Sequence, residues 1–205
     1  MIRTGNLLTG LAAALTLTAC ASAPMHYYTL VPPASAHTTS PADAAPSLPF
    51  ELLAVGIPAQ VDQPQLLVRE GGQGVALLGS ERWIAPLGDE VRGALSADLA
   101  RELHSQDVSG LPNNDKPTLR VKLDVRRFDS QPGSYALIEG AWSVRLMHAQ
   151  HPALLACTSR VSESVGPGYD ALVQGHQQAI ATLAAQIAVA ARAMAAGQSA
   201  SCPTG

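Results

Sequence analysis

The sequence predicts an α+β fold: a mixed, mainly antiparallel sheet with two long helices packed on one face. Three patterns lead there. Leu119, Val121, Leu123 and Val125 alternate with Arg120, Lys122, Asp124 and Arg126, the period-two pattern of a half-buried strand. Leu87, Val91, Leu95, Leu99 and Leu103 recur every four residues, which draws one apolar stripe along a helix reaching about His104. Leu172, Ile180, Leu183, Ile187, Ala190 and Met194 draw a second stripe on an Ala-rich helix from Tyr169 to about Ala196.

Ahead of these elements lies a segment of a different kind. Arg3 gives a short polar start its one positive charge, an apolar run follows from Leu7 to Ala19, and the run stops at Leu17-Thr18-Ala19-Cys20. Charge, apolar run and small residues in that order make a secretory signal over residues 1–19, and the run is too short for a membrane span. Small residues ending on a cysteine are similar to a bacterial lipobox. Cleavage before Cys20 would leave its thiol and new amine carrying a diacylglycerol and a further acyl chain, and several chains anchor far more firmly than one. Ala21 rather than an aspartate follows, which in lipoproteins favours passage to the outer membrane. The expectation is a protein tethered to the periplasmic face of that membrane, with residues 20–25 as its anchored N-terminus and one domain over 26–197.

Composition agrees with a folded domain. Of the 205 residues 47% are hydrophobic and 14% charged, with a formal net charge of −3, so the chain can bury a core. Lys116 and Lys122 are the only lysines, and without clustered basic residues nucleic acid is no expected partner. With Cys20 acylated, Cys157 and Cys202 are left. An oxidising compartment invites a disulfide between them; the other reading is a buried Cys157 and an unpaired Cys202 in a flexible tail over 198–205.

The elements follow in order. His26-Tyr27-Tyr28-Thr29-Leu30 suits a short strand. Residues 31–49 hold five prolines and no glycine, a stalk or a long loop. Phe50 to Ile57 reads as a buried strand ended by Pro58, and Leu66–Arg69 and Val75–Leu78 as a hairpin around Glu70-Gly-Gly-Gln-Gly74. No helix with a Lys-Ser/Thr follows those glycines, so they make no phosphate loop. Pro86 suits a first helical position, and Asp89 and Glu90 favour the positive end of the helix dipole. Beyond the loop at 108–117, the alternation of the next strand slips at Arg126-Arg127-Phe128, a bulge or its end. Ala136, Ile138, Trp142, Val144 and Leu146 mark the inward face of a second strand, and Leu155, Cys157 and Val161 that of a third. These three form an antiparallel meander, broken by Gly166-Pro-Gly168 before the last helix, for which Gly197 is a stop.

Nothing in the chain spells a catalytic set. There is no Gly-x-Ser-x-Gly elbow and no His-Glu-x-x-His, and of the six histidines only His148 and His151 are close in sequence, in a turn. Two imidazoles are too few for zinc, which takes three or four protein ligands, so no metal or other cofactor is expected beyond the lipid on Cys20. Arg120, Lys122, Arg126, Arg127 and Arg145 offer a basic patch for headgroups or an acidic partner, but Asp124 and Glu139 interleave with them as on an ordinary solvated surface.

The ordered motifs carry a resemblance. Cys20 followed closely by Tyr27-Tyr28-Thr29-Leu30, then Val55-Gly-Ile-Pro58, Asp62 to Arg69, Arg82-Trp83-x-x-Pro86-Leu87, and Val125-Arg-Arg-Phe-Asp129 before the strand holding Trp142, span nearly the whole chain after the signal. In this the sequence resembles the ABC-type transport auxiliary lipoproteins, the PqiC/YmbA group of envelope proteins; residues 31–49 are longer than the usual spacer, and Cys157 and Cys202 lie outside the pattern. The resemblance implies a non-enzymatic outer-membrane lipoprotein serving phospholipid transport. Its partners would be an MCE-domain protein and the associated inner-membrane permease, and it would form a homo-oligomer matching a ring or tube. It also implies that Tyr27–Leu30, Tyr28 included, is a strand of the domain, which makes 31–49 a loop, and that Trp83, Pro86 and Leu87 brace the strand–helix junction. The competing expectation is a lipoprotein that itself binds a lipid or hydrophobic ligand between helices and sheet. A purely structural envelope lipoprotein is a third.

Overall fold

A computed structural model of the chain describes residues 24–33, 48–112 and 115–203. The signal, Cys20 and most of the proline-rich segment lie outside them. Nine elements follow in order: β1 (His26–Tyr28), β2 (Phe50–Leu52), β3 (Gln65–Arg69), β4 (Val75–Trp83), α1 (Leu87–Leu103), β5 (Thr118–Gln131), β6 (Tyr135–Met147), β7 (Ala153–Ser164) and α2 (Tyr169–Ala195).

The α+β class holds, with mainly antiparallel pairing, but the strands divide between two sheets, ordered β1-β4-β3 and β2-β5-β6-β7. β5, β6 and β7 form the antiparallel meander. Each sheet also gains a short parallel strand from upstream: β1 beside β4, with His26 opposite Glu81, and β2 beside β5, with Phe50 opposite Leu119. Phe50 to Ile57 is therefore only partly a strand. After Leu52 the chain leaves β5 and returns at Gly56, whose N–H donates to the Leu123 carbonyl at 3.1 Å.

The slip in alternation is a bulge. The β5–β6 register shifts between Val125 and Arg127, and the strand continues to Gln131. One extra residue exchanges the faces. Val121, Leu123 and Val125 point to the core before the shift, and Phe128 and Ser130 are buried after it. Gly140 faces the bulge because a Cβ there would come within 2.9 Å of Leu123 Cδ1 and 3.0 Å of the Asp124 carbonyl oxygen.

Both stripes face one core. Leu87, Val91, Leu95, Leu99 and Leu103 of α1 and Ile180, Leu183 and Ile187 of α2 are buried with Leu119, Val121, Leu123 and Val144 of the sheet. The opposite face of that sheet is wet: Lys122, Asp124, Arg145, Thr158 and Arg160 are exposed. α2 has the length and hydropathy of a membrane span, but its stripe is spent in this core. Pro86 caps α1 rather than opening it. Its ψ of 138° is extended, and its carbonyl accepts the N–H groups of Asp89 at 2.9 Å and Glu90 at 3.0 Å. Gly197, at φ 69°, follows the end of α2 in the left-handed conformation a glycine adopts without strain.

Residues 198–203, in the segment read as a tail, lie back against the domain. The Gln198 N–H donates to the Ala193 carbonyl at 2.8 Å, Ala200 packs on the core, and Cys202 forms a disulfide with Cys157 of β7.

Candidate functional site

The residues of the N-terminal motif and of the strand–helix junction converge on the three-stranded sheet. Trp83, at the end of β4, is buried, donates its backbone N–H to the Pro64 carbonyl at 2.9 Å and meets Phe128 edge-on at 6.2 Å. Pro86 and Leu87 turn the chain from there into α1, with Leu87 fully in the core. Tyr28 lies beside Trp83 in the register, and its carbonyl accepts the Ile84 N–H at 2.9 Å.

Two buried carboxylates hold β1 and the residues that follow it. Glu81 accepts the Tyr28 hydroxyl at 2.8 Å, contacts His26 Nδ1 at 2.9 Å and accepts Ser80 Oγ at 3.2 Å. The His26 contact, helped by the hydroxyls and opposed by burial, holds the Glu81 carboxyl below the usual range. Burial and the same hydrogen bond push the Tyr28 phenol up to about 12. Glu90, on the first turn of α1, accepts Thr29 Oγ1 and the Leu30 N–H, both at 2.8 Å. Leu30 is thereby pinned fully inside the core. These contacts join the motif Tyr27-Tyr28-Thr29-Leu30 to β4 and α1.

A second polar centre lies past the bulge. Asp129 accepts Arg69 Nε at 2.6 Å, the guanidinium of Arg127 and, at 3.3 Å, the Tyr135 hydroxyl. Burial raises its pKa, but the two arginines outweigh that and hold it below the ordinary aspartate value. Next to it Ser130 Oγ meets His176 Nε2 at 2.8 Å, and the imidazole stacks on Phe128 with ring centres 4.0 Å apart. Complete burial pushes His176 down to about 3, against a weaker pull upward from Asp129. A serine and a histidine in contact suggest a nucleophile and its base. Here both are sealed from solvent, and among the described residues Nδ1, where a triad places its orienting carboxylate, has no hydrogen-bond partner. The pair is a packing element of the core.

Asp107 forms a third knot in the loop after α1. It accepts Ser96 Oγ at 2.7 Å and the Ser109 N–H at 2.9 Å, and these bonds hold its pKa down against burial.

The basic patch is largely neutralised. Arg120 pairs with Glu51 at 2.8 Å, Lys122 with Asp124 at 2.9 Å and Arg127 with Asp129, while Glu139 pairs with Arg160, outside the patch, at 3.5 Å. Arg126 and Arg145 are exposed and make no ion pair among the described residues. His148 and His151 sit in the β6–β7 turn, and among the described residues no three His, Cys, Asp or Glu side chains gather as a metal site. Large aliphatic side chains fill the space between helices and sheet. Hollows open instead at the surface: one of about 210 Å³ beside Pro49, Leu111 and Met147, and one of about 260 Å³ lined by Pro58, Val61, Leu67, Val75 and Phe128 with Arg69, Arg126 and Arg127.

Sequence reasoning missed Glu81, Glu90, Asp107 and His176 as organising groups. The available signal for Glu81 was parity, since it shares a strand face with buried Trp83. Asp129 was visible only as the end of a motif.

Comparison with known proteins places this architecture. No curated protein matches the chain. A crystal structure described as an uncharacterized protein superposes with a TM-score of 0.62 at 19% identity, covering 81% of this chain and 97% of that one. A Xanthomonas campestris protein of family DUF330 gives 0.54 at 17% identity, covering 81% and 93%. At such identities the likeness is one of fold. The family model described as ABC-type transport auxiliary lipoprotein component matches residues 28–188, from Tyr28 of β1 to Ala188 of α2. The chain belongs to the ABC-type transport auxiliary lipoprotein family.

Proposed function

We propose that the protein is a non-catalytic accessory subunit, held on the periplasmic face of the outer membrane by acyl chains on Cys20. It docks an MCE-domain protein whose inner-membrane permease drives phospholipid transport between the two membranes, and it does so as a homo-oligomer. The observation that carries the reading is the match of residues 28–188 to a family of transport auxiliary lipoproteins. Leu17-Thr-Ala-Cys20 supplies the anchor, and a Cys157–Cys202 disulfide suits an oxidising compartment. The aliphatic side chains buried between helices and sheet, Leu95, Leu99, Leu183 and Ile187 among them, favour this reading over a ligand carrier.

Cross-linking of the full-length protein in intact cells, followed by purification from detergent and mass spectrometry, tests this. Capture of an MCE-domain protein, lost in Cys20→Ser, is the expected result. Bound lipid with no transporter subunit would replace docking with lipid binding.

A further inference from the structure

The chain between the acylation site and the folded domain is short. Only Ala21, Ser22 and Ala23 separate Cys20 from Pro24, so the backbone between them spans at most about 14 Å. A lipid surface that holds Cys20 therefore holds Pro24 close to it. β1 also has a direction. It runs parallel to β4 with His26 beside Glu81, so its N-terminal end leads toward the N-terminal end of β4, where Val75 leaves the hairpin turn.

That end of the sheet carries exposed aliphatic groups. Val75 is 52% exposed and Leu77 50%, and Leu77 pairs directly with half-buried Leu67, which puts the two on one face. The face borders the 260 Å³ hollow, where Arg69 and Arg127 share the one carboxylate of Asp129 and Arg126 is exposed without an ion pair among the described residues. Aliphatic side chains at a tip, with unneutralised guanidinium charge behind them, match the boundary between acyl chains and anionic headgroups.

We propose that the β3–β4 hairpin lies against the phospholipid surface that anchors the chain, with Val75 and Leu77 at the acyl boundary and Arg126 facing headgroup phosphates. This rests on the acylation of Cys20, and it adds an orientation. The domain meets the membrane through its three-stranded sheet, and the far end of the meander points into the periplasm. Leu154 marks that end. It is 57% exposed and lies in the cross-strand row of Arg145 and Arg120, about 30 Å along β5 from Asp129.

The test uses the mature acylated protein reconstituted into vesicles of phosphatidylethanolamine and phosphatidylglycerol. An environment-sensitive fluorophore is placed at Leu77→Cys, at Val75→Cys and at Leu154→Cys in separate variants, with nitroxide-labelled lipid as quencher and thermal unfolding as the check on folding. The expected result is quenching at positions 75 and 77 roughly two-fold or more stronger than at 154, and Arg126→Glu should narrow that difference. Protein that floats with the vesicles while all three labels report water overturns the proposal and leaves the hairpin face to a second copy or a protein partner. Protein that does not float with the vesicles removes the acyl anchor, and the orientation with it.

Discussion

β5, β6 and β7 follow one another in the chain and pair with their neighbours, whereas β1 reaches its place only when His26 finds Glu81, 55 residues downstream. The meander rests on an aliphatic core, with Leu119, Val121 and Leu123 wholly buried. β1 has three residues of ladder, and carboxylates hold what the ladder cannot: Glu81 takes the His26 and Tyr28 side chains, and Glu90 takes Thr29 and Leu30 just beyond them. Local pairing supported by apolar packing tolerates loss of any single polar contact. A short strand recruited from far away depends on each of its few hydrogen bonds, because each also offsets the entropy of closing a long loop.

Leu123→Ala should break the comparison most severely. It opens a cavity in the shared core, so global stability should fall by about 2–5 kcal/mol, read from urea unfolding with both sheets lost in one transition. Glu90→Ala strips acceptors from Thr29 and from the buried Leu30 N–H, at a cost of about 1–3 kcal/mol. That loss should be local. Amide exchange of Tyr28–Leu30 should accelerate while β5–β7 stays protected, and equal acceleration in both would show that the two regions are not separately held.

The smallest effect is a matter of pH. His176 has a folded pKa of about 3 against an ordinary value of 6.5, so between those values the unfolded chain binds the proton and the folded one does not. Its contribution is complete above pH 6.5 and falls as the pH drops through that window, by about 1.4 kcal/mol from about pH 7.5 to about pH 5.5. The carboxyls of Glu81 and Asp129 are held below their ordinary values, so their contribution is lost only at lower pH, as they protonate. His176→Leu should flatten the stability profile between about pH 7.5 and about pH 5.5 and leave the loss at lower pH, where the carboxyls protonate; an unchanged slope would mean that His176 is not the group that titrates.

The difference between the two regions also explains what the sequence makes legible. The leucines of α1, the alternation of β5 and the glycine-rich hairpin are periodic and local, and each can be read from a window of a few residues. The bulge at Arg126 appeared as a broken alternation, which leaves open whether the strand bends or ends. The division into two sheets has no such signature, because β1 and β2 pair in parallel with strands far along the chain. Carboxylates are harder still. Glu81 and Glu90 look like ordinary surface charges until Tyr28, Thr29 and Leu30 arrive beside them, and Asp107 becomes a knot only when its loop folds onto Ser96. His176 lies on the same helix as the apolar stripe that buries it, where a lone histidine gives no local sign of its partner on β5.

The parallel arrangement of β1 and β4 has a mechanical consequence. Tension applied to the chain ahead of Pro24 pulls β1 along its own axis, toward the end of β4 that holds Val75. That is shear loading. The β1–β4 ladder, the Tyr28–Glu81 bond and the Leu30–Glu90 bond would share the force rather than open one after another, as they would in a peeled hairpin. A three-residue strand so loaded can serve as the attachment point of a tether, and the force passes through Glu90 into α1 instead of stopping at the edge of a sheet.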